Sequence, residues 1–210
     1  MQKVAFLTLI YASICGTRAV ANTTKPSSTN PNASLMHQVL QVIPLVKIEE
    51  IENNHLQTDE GFKSAVLYLQ SEEWKGLVGV VEKSAEFHRF AEMALKFKVN
   101  ISQYIESLRN HIDSLSVTPS EKNAPANFSS FMKDIQKVFP IGEIAKVFAN
   151  SDDPEARNLR LQVNARPNQK IAEDLYNFSE VAKMRQALKD MNFNVEPFIA
   201  LVLTFLGWIH

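Results

Sequence analysis

The sequence predicts an all-α protein, and three observations predict it. Apolar residues recur at helical spacing along most of the chain. Glycine is scarce, 6 in 210 residues, while phenylalanine numbers 13, a poor balance for a β-sandwich with many tight turns. The third observation is that the two halves of the chain repeat each other's punctuation. Overall charge adds exclusions. The 22 Lys and Arg nearly balance 23 Asp and Glu, which leaves no basic footprint for nucleic acid and no acidic excess of a disordered tail.

Taken in order, residues 1–21 read as a secretory signal peptide: Lys3, an apolar run from Val4 to Cys15, then Ala19-Val20-Ala21 before Asn22. Its removal leaves 20 basic against 23 acidic residues, a net charge of −3. Cys15 goes with it, so the remaining chain offers no cysteine nucleophile, cysteine-ligated zinc or iron–sulfur cluster. Residues 22–34, rich in Ser, Thr, Asn and Pro, form a flexible arm. Helical stripes follow: Phe62, Ala65, Val66, Leu69; then Trp74, Leu77, Val78, Val81; then Phe87, Phe90, Ala91, Ala94; then Ile101, Tyr104, Ile105, Leu108. A polar linker, 116–127, separates these from Phe128, Phe131, Met132, Ile135 and from Ile141, Ile144, Ala145, Phe148. Ser71, Ser84, Asn100, Ser179 and Asn194 stand where N-caps belong, and Pro44, Pro140, Pro154 and Pro167 suit first turns. Leu159, Leu161 and Val163 alternate like a strand, and only their neighbours argue for helix.

The repetition is specific. Val39 to Leu45 (VLQVIPL) lies over Ile135 to Ile141 (IQKVFPI) at an offset of 96, proline on proline. Val99-Asn100-Ile101 lies over Phe193-Asn194-Val195 at an offset of 94, and Tyr104, Ile105 and Leu108 over Phe198, Ile199 and Val202. Two small deletions reconcile the offsets. The domain reading is therefore one globular unit made of repeat 1 (35–115) and repeat 2 (128–210), each of five or six short helices. Two such units close on each other more naturally than they form an open array.

With the segments DEGFKSAVLYLQSEEWKGLV and FSSFMKDIQKVFPIGEIAKVFANS and the V-N-I and F-N-V caps, the chain resembles the insect-allergen-related repeat family. That family includes a cockroach midgut allergen, mosquito microvillar proteins and nitrile-specifier proteins. The resemblance implies two helical repeats closing around one large apolar cavity, with fatty acids or phospholipids as cargo. It further implies secretion to the midgut lumen or microvillar surface. The stretch Asn158–Arg166 is unusually polar and basic and departs from the pattern.

On that expectation the cavity lining comes from the apolar stripes. In repeat 1 these are Phe62, Val66, Leu69, Leu77, Val81, Phe87, Phe90, Leu95, Ile101, Ile105 and Leu108. In repeat 2 they are Phe131, Ile135, Phe139, Ile144, Phe148, Leu175, Met184, Leu188, Phe198, Val202 and Phe205. The last helix, Phe198 to Ile209, is apolar nearly all round, so it must be buried or in lipid, yet it is too short to span a membrane.

No catalytic constellation stands out, and the expectation is no enzyme, no cofactor and no metal. His37, His55, His88, His111 and His210 are scattered; there is no H-E-x-x-H and no G-x-S-x-G. His88 with Glu92 reads as a solvated pair, and Glu49, Glu50 and Glu52 as a solvated acidic face. Of five sequons, those at Asn22, Asn32 and Asn127 fall in the arm or linker and are the expected glycan acceptors; Asn100 reads better as a helix cap. The expectation is a monomeric, secreted lipid binder with lipids as partners and transient membrane contact. A cytolytic protein and a nitrile-specifier-like detoxification factor are the rivals.

Overall fold

A computed structural model of the chain describes residues 41–96, 99–118, 124–149, 165–194 and 196. Among them are nine complete α-helices and no strand. They are α1 (Leu45–Thr58), α2 (Glu60–Gln70), α3 (Glu72–Glu82), α4 (Ala85–Lys96), α5 (Ile101–Ser114), α6 (Ser129–Val138), α7 (Ile141–Ala149), α8 (Arg166–Tyr176) and α9 (Ser179–Asp190). The expected signal peptide and arm, the alternating stretch Leu159–Val163 and the last helix from Phe198 lie outside the described residues.

Capping divides the chain into short pieces. Ser71 accepts from the Trp74 amide (3.3 Å), Ser84 from Phe87 (3.1 Å) and Asn100 from Gln103 (3.1 Å), each meeting an orphan donor of a first turn. Asp59, alone between α1 and α2, does the same for Phe62 at 3.0 Å. Two sequence expectations need correction. Ser179 is the first residue of α9, not its cap; Phe178 holds the cap position and Ser179 Oγ bonds Glu180 instead. Pro44 caps α1, and Pro140 stands just before α7 in the same way, rather than in a first turn. Only their carbonyls are used there, accepting from Ile48 at 3.1 Å and from Ile144 at 3.0 Å, so the missing N–H again costs nothing.

The core joins the two halves. Ile48 of α1, Phe62, Ala65 and Val66 of α2, and Phe131, Met132 and Ile135 of α6 are buried together. Phe62 and Phe131 rings lie 4.6 Å apart and tilted by 37°, and Phe128 meets Phe62 edge-on at 5.7 Å, the T-shaped geometry that aromatic quadrupoles favour. Helix α1 packs on α2 and α6, α2 on α3 and α5, and α4 on α3 and α5. Between the halves, α3 packs on α9 and α4 on α8.

Two backbone details fix where the second half begins, one against α2 and one against the turn after α9. Asn127 N–H donates to the Gly61 carbonyl (2.9 Å), and a Cβ at Gly61 would stand 3.0 Å from that of Asn127, so the linker's end crosses α2 where only glycine fits easily. After α9, Asn192 adopts φ 59°. Asn192 N–H bonds Lys189 O (2.9 Å) and Phe193 N–H bonds Leu188 O (2.8 Å), a Schellman turn in which asparagine tolerates the left-handed backbone. The Phe128 amide then donates to Met191 O at 2.8 Å, fixing the entry to α6.

Several hydrogen bonds recur at the offsets seen in the sequence. Leu45 N to Ile43 O and Ile141 N to Phe139 O are both 2.9 Å, 96 residues apart. Helices α3 and α8 begin 94 residues apart and are equal in length, and so are α4 and α9. Their ends match too: Lys83 N to Gly79 O matches Asn177 N to Glu173 O, and Val99 N to Ala94 O matches Phe193 N to Leu188 O.

Candidate functional site: an apolar pocket with a charged rim

Between α1, α2, α3, α5, α6 and α9 lies a partly open pocket of about 310 Å³. This is within the range of a site for one small ligand. Helical stripes aim its wall. Trp74, Val78 and Val81 project from α3 at i, i+4, i+7, and Ile105, Leu108 and Ile112 from α5 at i, i+3, i+7. Phe62, Val66 and Leu69 come from α2, Phe131 from α6, and Met184 and Leu188 from α9. Phe193 closes one corner from the turn after α9.

The pocket thus brings together Phe62, Val66, Leu69, Val81, Ile105, Leu108, Phe131, Met184 and Leu188 of the residues the sequence singled out. Others lie elsewhere. Ile135 and Ile144 are buried in the core, with Phe139 packed against it. Phe87 is buried and Phe90 half-buried on α4, which packs against α3, α5 and α8. Leu77, Ile101 and Leu175 are half-buried outside the pocket wall. Leu95 is 61% exposed and stands outside the pocket wall. The buried arc of α4 runs through Phe87, Met93 and Ala94, and Leu95 stands a further turn of about 100° past Ala94, away from Met93. The side chain of Phe148 and residues Phe198, Val202 and Phe205 lie outside the described residues, as do Asn22 and Asn32. Asn127 is half-buried; its Oδ1 accepts from Ser129 N (2.8 Å) and Ser129 Oγ (2.7 Å).

Charged side chains line one edge of the apolar wall. Arg109 meets Glu82 at 2.6 Å and Lys75 meets Asp113 at 3.1 Å, two ion pairs that bridge α3 and α5 at the pocket edge. All four side chains are between 28% and 39% exposed, which keeps their charges in reach of water. Glu52 differs. The sequence places it on a solvated face, but it is 4% exposed and belongs to the pocket wall. Its carboxylate is engaged by His111 Nε2 at 3.0 and 3.1 Å, the partner a buried carboxylate requires. Sequence reasoning missed this pair although a signal existed: Glu52 follows Ile48 by four residues, on the same stripe of α1.

A second polar cluster supports the wall from behind. His55, also buried, places Nδ1 2.9 Å from Asp59 and Nε2 3.1 Å from Asp134, between the rings of Phe62 and Phe131. This ties α1 to α6. Burial works to raise the Asp59 pKa, but hydrogen bonds from Ser130, the Phe62 amide and His55 outweigh it and hold the carboxyl below its ordinary value. Lys137 first, then His55, lower that of Asp134. His88 and Glu92 are exposed, as a solvated pair would be. Among the described residues no group of three or more His, Cys, Asp or Glu stands close enough to hold a metal, and no helix is long and apolar enough to cross a membrane.

No curated protein matches the chain. A family model does: the insect allergen related repeat, described with nitrile-specifier detoxification, matches residues 33–199, so the chain belongs to that family.

Proposed function

We propose that this protein is an acyl-lipid carrier, taking the hydrocarbon chain of a fatty acid or phospholipid into the pocket and releasing it without making or breaking a bond. The observation that carries the reading is the pocket's composition: apolar stripes from both halves of the chain on its wall, charges at its edge. Burial of the tail supplies about 0.8 kcal/mol per methylene with little directionality, so chain length governs affinity more than chemistry does.

The same reading makes residues 35–115 and 128–210 two copies of one helical unit. The matched hydrogen bonds and the equal helix lengths at offsets of 94 and 96 support it. So does the packing. If α8 and α9 are the counterparts of α3 and α4, then the contacts α3 on α9 and α4 on α8 are one contact made twice, as a two-fold axis requires. Secretion, residence in the midgut lumen or on microvilli, and a monomeric state belong to the proposal.

Extraction of the purified protein followed by mass spectrometry tests it. Acyl lipids are expected in the extract. Leu108→Trp, which pushes an indole into the pocket, should displace about two methylenes and weaken fatty-acid binding about tenfold while helicity is kept. A protein that carries no acyl lipid and takes up none in titration refutes the carrier.

A second reading has one observation behind it. The family description names nitrile-specifier detoxification, and Glu52 with His111 sets a carboxylate–imidazole pair at an apolar pocket. Turnover of a glucosinolate-derived substrate, lost in Glu52→Gln, would favour it.

A further inference from the structure

We infer that the preferred ligand is a zwitterionic amphiphile, with a phosphate and an ammonium in its headgroup, and that Lys75 and Asp113 receive that headgroup. The inference rests on the acyl-carrier reading and adds what sits outside the pocket. Beside the apolar pocket runs an open polar groove lined by Gln70, Lys75, Asp113 and residues 115–118. Lys75, Asp113 and Leu115 belong to both spaces. A tail held by the apolar wall and leaving at this seam delivers its headgroup into the groove.

The groove is built firmly enough to act as a seat. Gln70 Nε2 donates to Ile112 O (2.7 Å) and Leu115 O (2.9 Å), tying the end of α5 to the end of α2. Ile112 O also accepts from the Leu115 amide at 3.2 Å, so Gln70 adds a second bond there and meets the carbonyl of the cap residue Leu115. The Lys75–Asp113 pair spans the seam at 3.1 Å, with the two side chains 35% and 38% exposed. An ion pair this exposed is weak, so a headgroup opens it at little cost.

The charge pattern decides which headgroup. The seam offers one cation and one anion, and the neighbouring Arg109–Glu82 pair repeats that balance. A carboxylate headgroup takes Lys75 and leaves Asp113 facing a like charge. A phosphate-plus-ammonium headgroup exchanges partners with both, phosphate on Lys75 and ammonium on Asp113, and strands neither. Asp113 lies in the last turn of α5, where the helix end itself favours a cation.

Three single-chain probes with the same tail separate the headgroups: hexadecylphosphocholine, palmitate and hexadecyltrimethylammonium, titrated below their micellar concentrations. The full-length protein should bind the phosphocholine about three- to fivefold more tightly than palmitate, the range an exposed charge pair supports. Asp113→Asn should erase that preference by weakening the phosphocholine and strengthening palmitate. Lys75→Gln should weaken both phosphate and carboxylate probes and spare the ammonium. Unchanged thermal melts of the variants confirm that folding is intact. Equal affinity for all three probes, unmoved by either substitution, overturns the headgroup seat and leaves the carrier standing. Failure of all three to bind overturns the carrier as well.

Discussion

Replacing Glu52 and His111 together should do less harm than replacing His111 alone. On the proposed duplication, position 52 corresponds to 148 and position 111 to 205, and both carry phenylalanine in the second half. The first half therefore uses a carboxylate–imidazole pair where the second has two aromatic side chains. His111→Phe leaves the buried Glu52 carboxylate without the imidazole that it meets at 3.0 Å. Removing one partner of a buried pair costs about 3–5 kcal/mol. His111 is 22% exposed, so screening brings the expected loss nearer to about 2–3 kcal/mol. In a chain this size that lowers Tm by about 5–10 °C. Glu52→Phe with His111→Phe removes both polar groups and fills their space with apolar volume, a change that is commonly neutral. Urea denaturation of the wild type, the two single variants and the double variant forms a closed cycle. The double variant should be more stable than His111→Phe by about 2 kcal/mol. Losses that simply add, within about 0.5 kcal/mol, would refute both the coupling across the pocket wall and the equivalence of the two positions.

Three further outcomes follow from the packing. His55→Phe should destabilise by about 2 kcal/mol through the lost charge-assisted bond to Asp59 and should flatten the acid limb of the pH–stability curve. The Asp59 and Asp134 carboxyls titrate below their ordinary values when folded, so the stability they give is complete above the unfolded pKa of about 4 and is lost as pH falls through the lowered folded values; melts between neutral pH and strong acid read the difference. Gly79→Ala should raise stability by about 0.5–1 kcal/mol, because a Cβ there meets nothing within 4 Å, whereas Gly61→Ala should lower it by pushing on Asn127 at 3.0 Å; opposite shifts in urea midpoint check the pair. Asn100→Ala should cost about 1 kcal/mol as the Gln103 amide loses its acceptor, and Asn100→Asp should recover most of it in the same melts.

How much of this was legible in the sequence depends on how far each cause lies along the chain. The helices were legible because their causes are local: the stripe Phe62, Ala65, Val66 predicts the buried face of α2, and Ser71, Ser84 and Asn100 predict where chain direction changes. The pocket wall was partly legible for the same reason, since a stripe says which residues face inward but not whether they meet core or open space. Ile135 and Phe131 share one stripe of α6, yet Phe131 lines the pocket and Ile135 sits in solid core. That distinction belongs to helix placement in space, which no spacing encodes. The break at Asp59 was missed because nothing but a single capping carboxylate marks it, with no Pro beside it and Gly61, two residues on, inside α2.

The polar residues of α1 show the limit most clearly. Ile48, Glu52 and His55 fall at i, i+4 and i+7, and all three are buried. Read by composition, LVKIEEIENNHLQT is a charged surface helix; read by register, it places a carboxylate and an imidazole on the face that Ile48 turns inward. A polar side chain in register with an apolar stripe is stable there only if another helix brings a partner. Glu52 finds His111, 59 positions along, and His55 finds Asp134, 79 positions along. The register was visible in one turn of helix, but the partners were not, because they are supplied by α5 and α6 only after the fold has closed. Those two pairings do what the apolar stripes cannot do alone: an aliphatic side chain accepts many neighbours, whereas a buried carboxylate accepts only the helix that carries its donor, so Glu52 and His55 tie α1 to α5 and α6 in a single register.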